Sequence, residues 1–273
     1  MKKIICFDLD GTLLTTDKKV LPENRDAIKR AKESGMDIVI CTGRQLNAAK
    51  QFNEMIEGVK YIVCTNGAEI MDIENNDELY ACPIDEEISK ILFDYAESED
   101  LCVKIDTRYA RYITKERYAL NNEIPFEEDK ERFFYENKVL QMSLGAKTEE
   151  KIDEVINNVK KVPGIKVYNK YKMSLLGPEN ELWYINLINT SASKGNGING
   201  LCRYLKVNIE DVVCFGDDLN DLSMFEIVGY PIAMGNALDI IKEHAKEIIE
   251  NNDFPGIAKV LDRFIEENKK ESI

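Results

Sequence analysis

Five short apolar runs constrain the fold of this chain more than any other feature. They are Ile4–Phe7, Ile38–Cys41, Ile62–Cys64, Val212–Phe215 and Pro231–Met234. Each is near-continuously apolar over four residues or fewer, the pattern of strands buried on both faces of a parallel sheet. Each stops at polar or glycine residues: Asp8-Leu9-Asp10-Gly11, Thr42-Gly43-Arg44, Thr65-Asn66-Gly67, Gly216-Asp217-Asp218 and Gly235-Asn236. Ligands of open α/β sheets bind beyond the carboxyl ends of the strands, so these five ends form one candidate site.

Helical segments separate the runs. One opens at Leu21-Pro22-Glu23 and stops near Gly35; others cover about Gly200–Leu205, Leu222–Val228, Ile240–Ile249 and Ile257–Glu266. The middle of the chain changes character. Helices at Glu86–Glu97 and Glu149–Lys160 mix with alternating runs at Cys102–Ile105, Arg111–Thr114, Val139–Leu144, Lys172–Leu175 and Trp183–Ile188. Polar stretches, Ile73–Glu78 and Asn189–Ser193, border this region. The expected fold class is α/β, a Rossmann-like parallel sheet core of residues 1–82 and 189–273 with an inserted α+β domain of residues 83–188.

Composition narrows the partners. The 273 residues carry 36 Lys and Arg against 50 Asp and Glu, a formal charge of −14. Polyanionic surfaces repel such a chain, which argues against nucleic acid and anionic membranes. No run approaches 18 apolar residues, and the apolar stretch before Asp8 is too short for a signal peptide. The seven cysteines form no C-x-x-C pair, and several sit in apolar runs; a reducing cytoplasm is the expected location.

Two acidic clusters carry the chemistry. Asp8 and Asp10 lie two positions apart beyond a buried strand, where they repel unless a cation joins them, and Mg²⁺ favours such oxygen ligands. The pair also suits covalent catalysis, with one carboxylate attacking phosphorus and the other handling the leaving-group proton. An Asp-Gly turn closing a strand is the plainer reading of this cluster alone. Asp217, Asp218 and Asp221 follow a second buried run, where capping of a helix start is the plainer reading. Thr42-Gly43-Arg44 suits phosphate held by a hydroxyl and backbone N–H groups, and Lys194 suits neutralisation of phosphoryl oxygens. Gly195-Asn196-Gly197-Ile198-Asn199-Gly200 matches G-x-G-x-x-G but lacks a strand directly before it, so it fails as a dinucleotide site. His244 reads as a partly exposed helix residue and Trp183 as packing. Lys104, Arg108, Arg111, Lys115 and Arg117 read as a solvated strand face.

At these residues the chain resembles the haloacid dehalogenase-like superfamily, in particular its Cof-type sugar-phosphatase branch. The four motifs occur in order: Asp8-Leu9-Asp10-Gly11-Thr12-Leu13-Leu14, Thr42-Gly43-Arg44, Lys194-Gly195 and Gly216-Asp217-Asp218-Leu219-Asn220-Asp221. Thr65-Asn66-Gly67-Ala68 and Ala233-Met234-Gly235-Asn236-Ala237 are also typical of that branch. The resemblance implies that Asp8 is a nucleophile forming an aspartyl-phosphate and Asp10 the general acid/base. It implies Mg²⁺ held by Asp8, Asp217 and the backbone carbonyl of Asp10. Thr42, Gly43, Lys194 and Asn220 fall to the phosphoryl group, with Arg44, Asn66 and Asp221 in support. The inserted domain corresponds to a cap that selects substrate. Two departures stand out. Gly197 and Gly200 replace helix-favouring residues and predict a late or frayed helix start. Asn252-Asp253-Phe254-Pro255 replaces the usual acidic pair. The implied function is Mg²⁺-dependent hydrolysis of a small phosphorylated metabolite, such as a sugar phosphate, by a monomer or weak homo-oligomer. A phosphomutase and a non-enzymatic phospho-acceptor module are the alternatives.

Overall fold

A computed structural model describes residues 3–53, 55–120, 122–127, 129–174 and 180–271. The chain forms two compact units, Met1–Ala81 with Ser193–Ile273, and Cys82–Ala192. The second is slightly longer than the span 83–188 expected from composition. Its last strand runs to Asn189, whose side-chain amide donates to the Pro83 carbonyl at 2.8 Å.

Strands β1 (Ile4–Phe7), β2 (Asp37–Cys41), β3 (Val59–Cys64), β4 (Glu69–Asp72) and β5 (Asp77–Ala81) open the first unit. The second unit contributes β6 (Cys102–Asp106), β7 (Arg111–Ile113), β8 (Glu123–Pro125), β9 (Gln141–Ala146), β10 (Ile165–Ser174) and β11 (Glu181–Asn189). The chain then returns to the first unit with β12 (Val212–Gly216), β13 (Tyr230–Ala233) and β14 (Glu247–Ile248). Helices in chain order are α1 (Pro22–Glu33), α2 (Leu46–Asn53), α3 (Glu86–Ser98), α4 (Lys130–Glu136), α5 (Glu149–Val159), α6 (Lys194–Leu205), α7 (Leu222–Phe225), α8 (Asp239–His244) and α9 (Gly256–Glu271).

The first unit holds a sheet ordered β14-β13-β12-β1-β2-β3-β4-β5. It is parallel from β14 to β3, and β4 and β5 add an antiparallel hairpin at one edge. Alternation along β1 shows why the run is apolar throughout. Ile5 and Phe7 join a core with α1 and α9 through Ile28, Leu261 and Phe264. Ile4 and Cys6 face the other way, toward Ile198 and Leu201 of α6 and Met224 of α7. Full burial of such side chains contributes about 1.5–3 kcal/mol each, which fixes β1 at the centre of the sheet.

Several local expectations change. The helix after Ser193 starts at Lys194, neither late nor frayed, because the Ser193 hydroxyl accepts the Asn196 N–H at 3.0 Å. Gly197 lies where a Cβ would come 2.4 Å from Val63 Cγ1, so its absence lets α6 pack against β3. Helix propensity is given up for that close approach. The segment expected as Ile240–Ile249 ends at His244, and the edge strand β14 follows. The segment expected as Leu222–Val228 is helical only to Phe225. The polar stretch Ile73–Glu78 is the turn and start of the β4–β5 hairpin.

The second unit is a sheet ordered β10-β11-β9-β6-β7-β8, with α3, α4 and α5 packed on one face. Trp183 packs at the margin of that core. Leu175, expected to end a strand, lies outside the described residues. The basic stretch is only in part the expected solvated face: Arg117 is exposed, but Lys104 and Arg111 are held in ion pairs. Lys104 is 2 % exposed, and its Nζ lies 2.9 Å from Glu123 Oε1. Arg111 forks onto Asp106, with Nη2 at 2.8 Å from Oδ2, and Lys115 pairs with Asp100 at 2.6 Å. No helix among the described residues is long and apolar enough to cross a membrane.

Candidate active site

Asp8 is the first residue beyond β1, and its N–H donates to the Phe215 carbonyl of β12 at 3.1 Å. That bond carries the sheet ladder one step past the strand and points the carboxylate at the strand ends. Lys194 Nζ, from the first turn of α6, sits 2.6 Å from Asp8 Oδ1 and 2.6 Å from Asp221 Oδ1. All three side chains are buried. The second oxygen of Asp221 accepts the N–H groups of Asp217 at 2.8 Å and Asp218 at 3.0 Å. Asp221 therefore has both oxygens committed and shapes the loop, while Asp218 closes the reciprocal cap of the Leu219–Asp221 turn.

Asp217 is the second open carboxylate. Its Oδ1 accepts the Thr12 hydroxyl at 2.7 Å. Gly11 has φ of 85°, and a Cβ there would stand 2.2 Å from Asp217 Oδ2, so only glycine permits the two loops to meet. Carboxylate oxygens of Asp8, Asp217 and Asp221 lie within 4.8 Å of one another. Asn220, on the same loop, has a buried Oδ1 without a hydrogen-bond partner.

The side chain of Asp10 stands outside this acidic group. Arg44 donates to it twice, Nε to Oδ2 and Nη2 to Oδ1, each at 2.7 Å, and Lys18 Nζ donates to Oδ1 at 2.7 Å. Lys194 thus faces Asp8, and Arg44 with Lys18 faces the Asp10 side chain. Sequence reasoning missed Lys18, because a lysine in a polar turn carries no signal of its own.

Thr42 and Gly43 follow β2. The Thr42 hydroxyl accepts the Arg44 N–H at 3.2 Å, which leaves its hydrogen for another acceptor. A Cβ on Gly43 would come 2.9 Å from Asn66 Oδ1, a buried atom that also lacks a hydrogen-bond partner. Asn66 itself adopts φ of 55°, a left-handed conformation at the end of β3. His244 lies apart from all of these, exposed on the last turn of α8, where its Nδ1 donates to the Ile240 carbonyl at 2.8 Å.

A family model described as haloacid dehalogenase-like hydrolase matches residues 5–261, a span that runs from β1 into α9. The chain belongs to the haloacid dehalogenase-like hydrolases. Among its relatives, the Bacillus subtilis protein YxeH is 30% identical over 286 residues, covering 97% of this chain and 99% of that protein. The 5-amino-6-(5-phospho-D-ribitylamino)uracil phosphatase YwtE of the same organism is 27% identical over 285 residues, covering 96% and 98%. The solved structure of TM0651 from Thermotoga maritima superposes with a TM-score of 0.83 at 23% identity, covering 96% of this chain and 97% of that one. This last likeness concerns the fold.

Members of this family generally use a divalent metal, usually Mg²⁺, and the charge balance of the site fits one. Burial pushes the Asp8 carboxyl up to about 8; Lys194 opposes that shift, and the charges of Asp221 and Asp217 add to it. Burial likewise raises Asp217 to about 6, against the hydrogen bond from Thr12. Lys194 moves well above its ordinary value, since the two carboxylates facing it outweigh its desolvation. Lys194 thus faces two carboxylates, Asp217 stands within 4.8 Å of them, and the open oxygens are those of Asp8 and Asp217. Those oxygens are the hard donors Mg²⁺ takes. Asp10 differs. Burial would raise it, but the hydrogen bonds from Arg44 and Lys18 outweigh that and hold it at about 2.

Proposed function

We propose that this hydrolase is a Mg²⁺-dependent phosphatase acting on a small phosphorylated metabolite through an aspartyl-phosphate on Asp8. The observation that carries this reading is the buried Lys194 ammonium, which faces Asp8 and stays protonated while one Asp8 oxygen remains open. Asp8 attacks phosphorus, and the bond from phosphorus to the leaving oxygen breaks. A proton from Asp10 goes to that oxygen, releasing an alcohol. Water then attacks the phosphorus of the aspartyl-phosphate, the bond from phosphorus to the Asp8 oxygen breaks, and the proton of the water goes to Asp10, which restores both carboxyl groups and releases inorganic phosphate.

Asp10 at about 2 is ionised before substrate binds, the state suited to accepting that proton. A phosphoryl dianion beside it adds like charge and shifts it upward, toward the state that donates. Thr42, Gly43, Lys194 and Asn220 hold the phosphoryl oxygens, and Arg44, Asn66 and Asp221 fix the loops around them. Asp8, Asp217 and the Asp10 backbone carbonyl hold Mg²⁺. When bound, the ion supplies positive charge against the phosphoryl oxygens.

The unit Cys82–Ala192 serves as the cap that selects substrate. The phosphorylated ribityl compound named for YwtE supports a sugar- or polyol-phosphate class. Seven free, buried cysteines support a reducing cytoplasmic setting, and a monomer or weak homo-oligomer is proposed.

The test is phosphate release from a panel of phosphorylated metabolites with Mg²⁺ present. Stoichiometric free phosphate is expected, with turnover abolished by Asp8→Asn and reversibly by EDTA. Turnover near wild type in Asp8→Asn overturns the mechanism, and a rearranged sugar phosphate in place of free phosphate identifies a mutase.

A further inference from the structure

The Asp10 carboxylate is held unevenly. A carboxylate offers about four acceptor positions, two on each oxygen. Oδ1 receives Lys18 Nζ and Arg44 Nη2, and Oδ2 receives only Arg44 Nε. The position left open is on Oδ2.

Lys18 is brought there by an anchored turn. Its N–H donates to the Thr15 carbonyl at 2.8 Å, and the Thr15 hydroxyl accepts the Lys19 N–H at 3.1 Å. Lys18 has φ of 59°, left-handed for a residue with a Cβ, a conformation that persists only where the surroundings dictate it. The surroundings here are Asp253. Its two oxygens take the Thr16 N–H and the Thr16 hydroxyl, each at 2.8 Å. The neighbouring Asn252 ties the same loop by donating its amide to the Leu14 carbonyl at 2.9 Å, and Asn236 donates to the Gly11 carbonyl at 2.8 Å.

An exposed lysine–carboxylate pair adds little to stability, so fold maintenance does not explain a strained residue held in place at both ends. We propose that Lys18 is a positioning residue for Asp10. By filling Oδ1 together with Arg44, it makes Oδ2 the oxygen that gives its proton to the leaving group, and Asp253 acts through the same turn. This inference rests on the phosphatase reading and on Asp10 as the acid within it.

The test compares kcat/KM, which covers the steps up to leaving-group release, for two substrates with Mg²⁺ present. One is the best alkyl phosphate from a sugar- and polyol-phosphate panel; the other is p-nitrophenyl phosphate, whose leaving group departs without protonation. Lys18→Met is expected to lower the alkyl value about tenfold, a fraction of what general acid catalysis supplies, and the aryl value less than about twofold. Lys18→Arg should recover most of the loss. Asp253→Ala should give the same contrast, and the double variant should be no worse than the worse single one.

Equal losses on both substrates would mean that Lys18 binds the phosphoryl group and would overturn the proposal, as would unchanged or increased alkyl turnover. Absence of phosphate release from either substrate by the wild-type protein sinks the phosphatase reading itself. That result is distinct from a wild type that turns over and a Lys18→Met variant without the contrast.

Discussion

Lys194 follows Asp8 by 186 positions in the chain, yet its Nζ lies 2.6 Å from Asp8 Oδ1. The pairing of β1 with β12 and the packing of α6 beneath the strand ends create that contact. Both side chains are buried, so each depends on the other and on Asp221 for its charge balance.

Lys194→Met should therefore cost both activity and stability. Loss of the ammonium removes charge stabilisation on the order of 10²–10³ in kcat. It also leaves Asp8 and Asp221 buried without their cation, a loss of about 3–5 kcal/mol when both are ionised. The deficit should grow as pH rises, because below neutrality Asp8 escapes by taking up a proton. Urea unfolding of the metal-free variant at acidic and alkaline pH measures this, and a deficit independent of pH would contradict it.

Metal binding should release protons. Asp8 at about 8 and Asp217 at about 6 are raised carboxylates in the metal-free protein, while Mg²⁺ takes only the ionised form. Affinity should rise with pH between about 6 and 8, and calorimetry in buffers of different ionisation heats should show the released protons. The stability sign follows from the same shifts. Both folded values exceed the unfolded ones, so the two groups favour the fold at low pH, and this contribution is lost as pH rises through their folded values. Asp8→Asn should flatten that dependence in metal-free protein, and an unaltered slope would refute the assignment.

In the second unit, Lys104→Met alone should destabilise by about 3 kcal/mol, since buried Glu123 loses its 2.9 Å partner and its charge keeps only Arg111 Nη1 at 3.8 Å. Adding Glu123→Gln removes that charge and keeps an acceptor for the Leu120 N–H, now at 2.9 Å from Glu123 Oε2. The double variant should recover most of the loss. Denaturant midpoints decide it: additive losses would show that the two residues are not coupled.

Much of the first unit was legible from the chain alone. The five apolar runs are five strands of its sheet, because strands covered on both faces leave no polar position to blur them. The hairpin of β4 and β5 was not legible, since its second strand, Asp77–Ala81, is only partly buried and reads as a polar stretch. Lys104 misled for a related reason. Charged side chains are nearly always solvated, and nothing local in the sequence tells a lysine that it faces a glutamate 19 positions on.

The sequence by itself determined the strand ends and which carboxylates, hydroxyl and lysine stand at them, because buried runs and their polar terminators are local patterns. Tertiary structure alone decided how those charges divide. Lys194 goes to Asp8 and Asp221, Arg44 and Lys18 go to Asp10, and Asp253 goes to Thr16. Pairing depends on distance through space between loops that the sheet brings together, and no spacing along the chain encodes it.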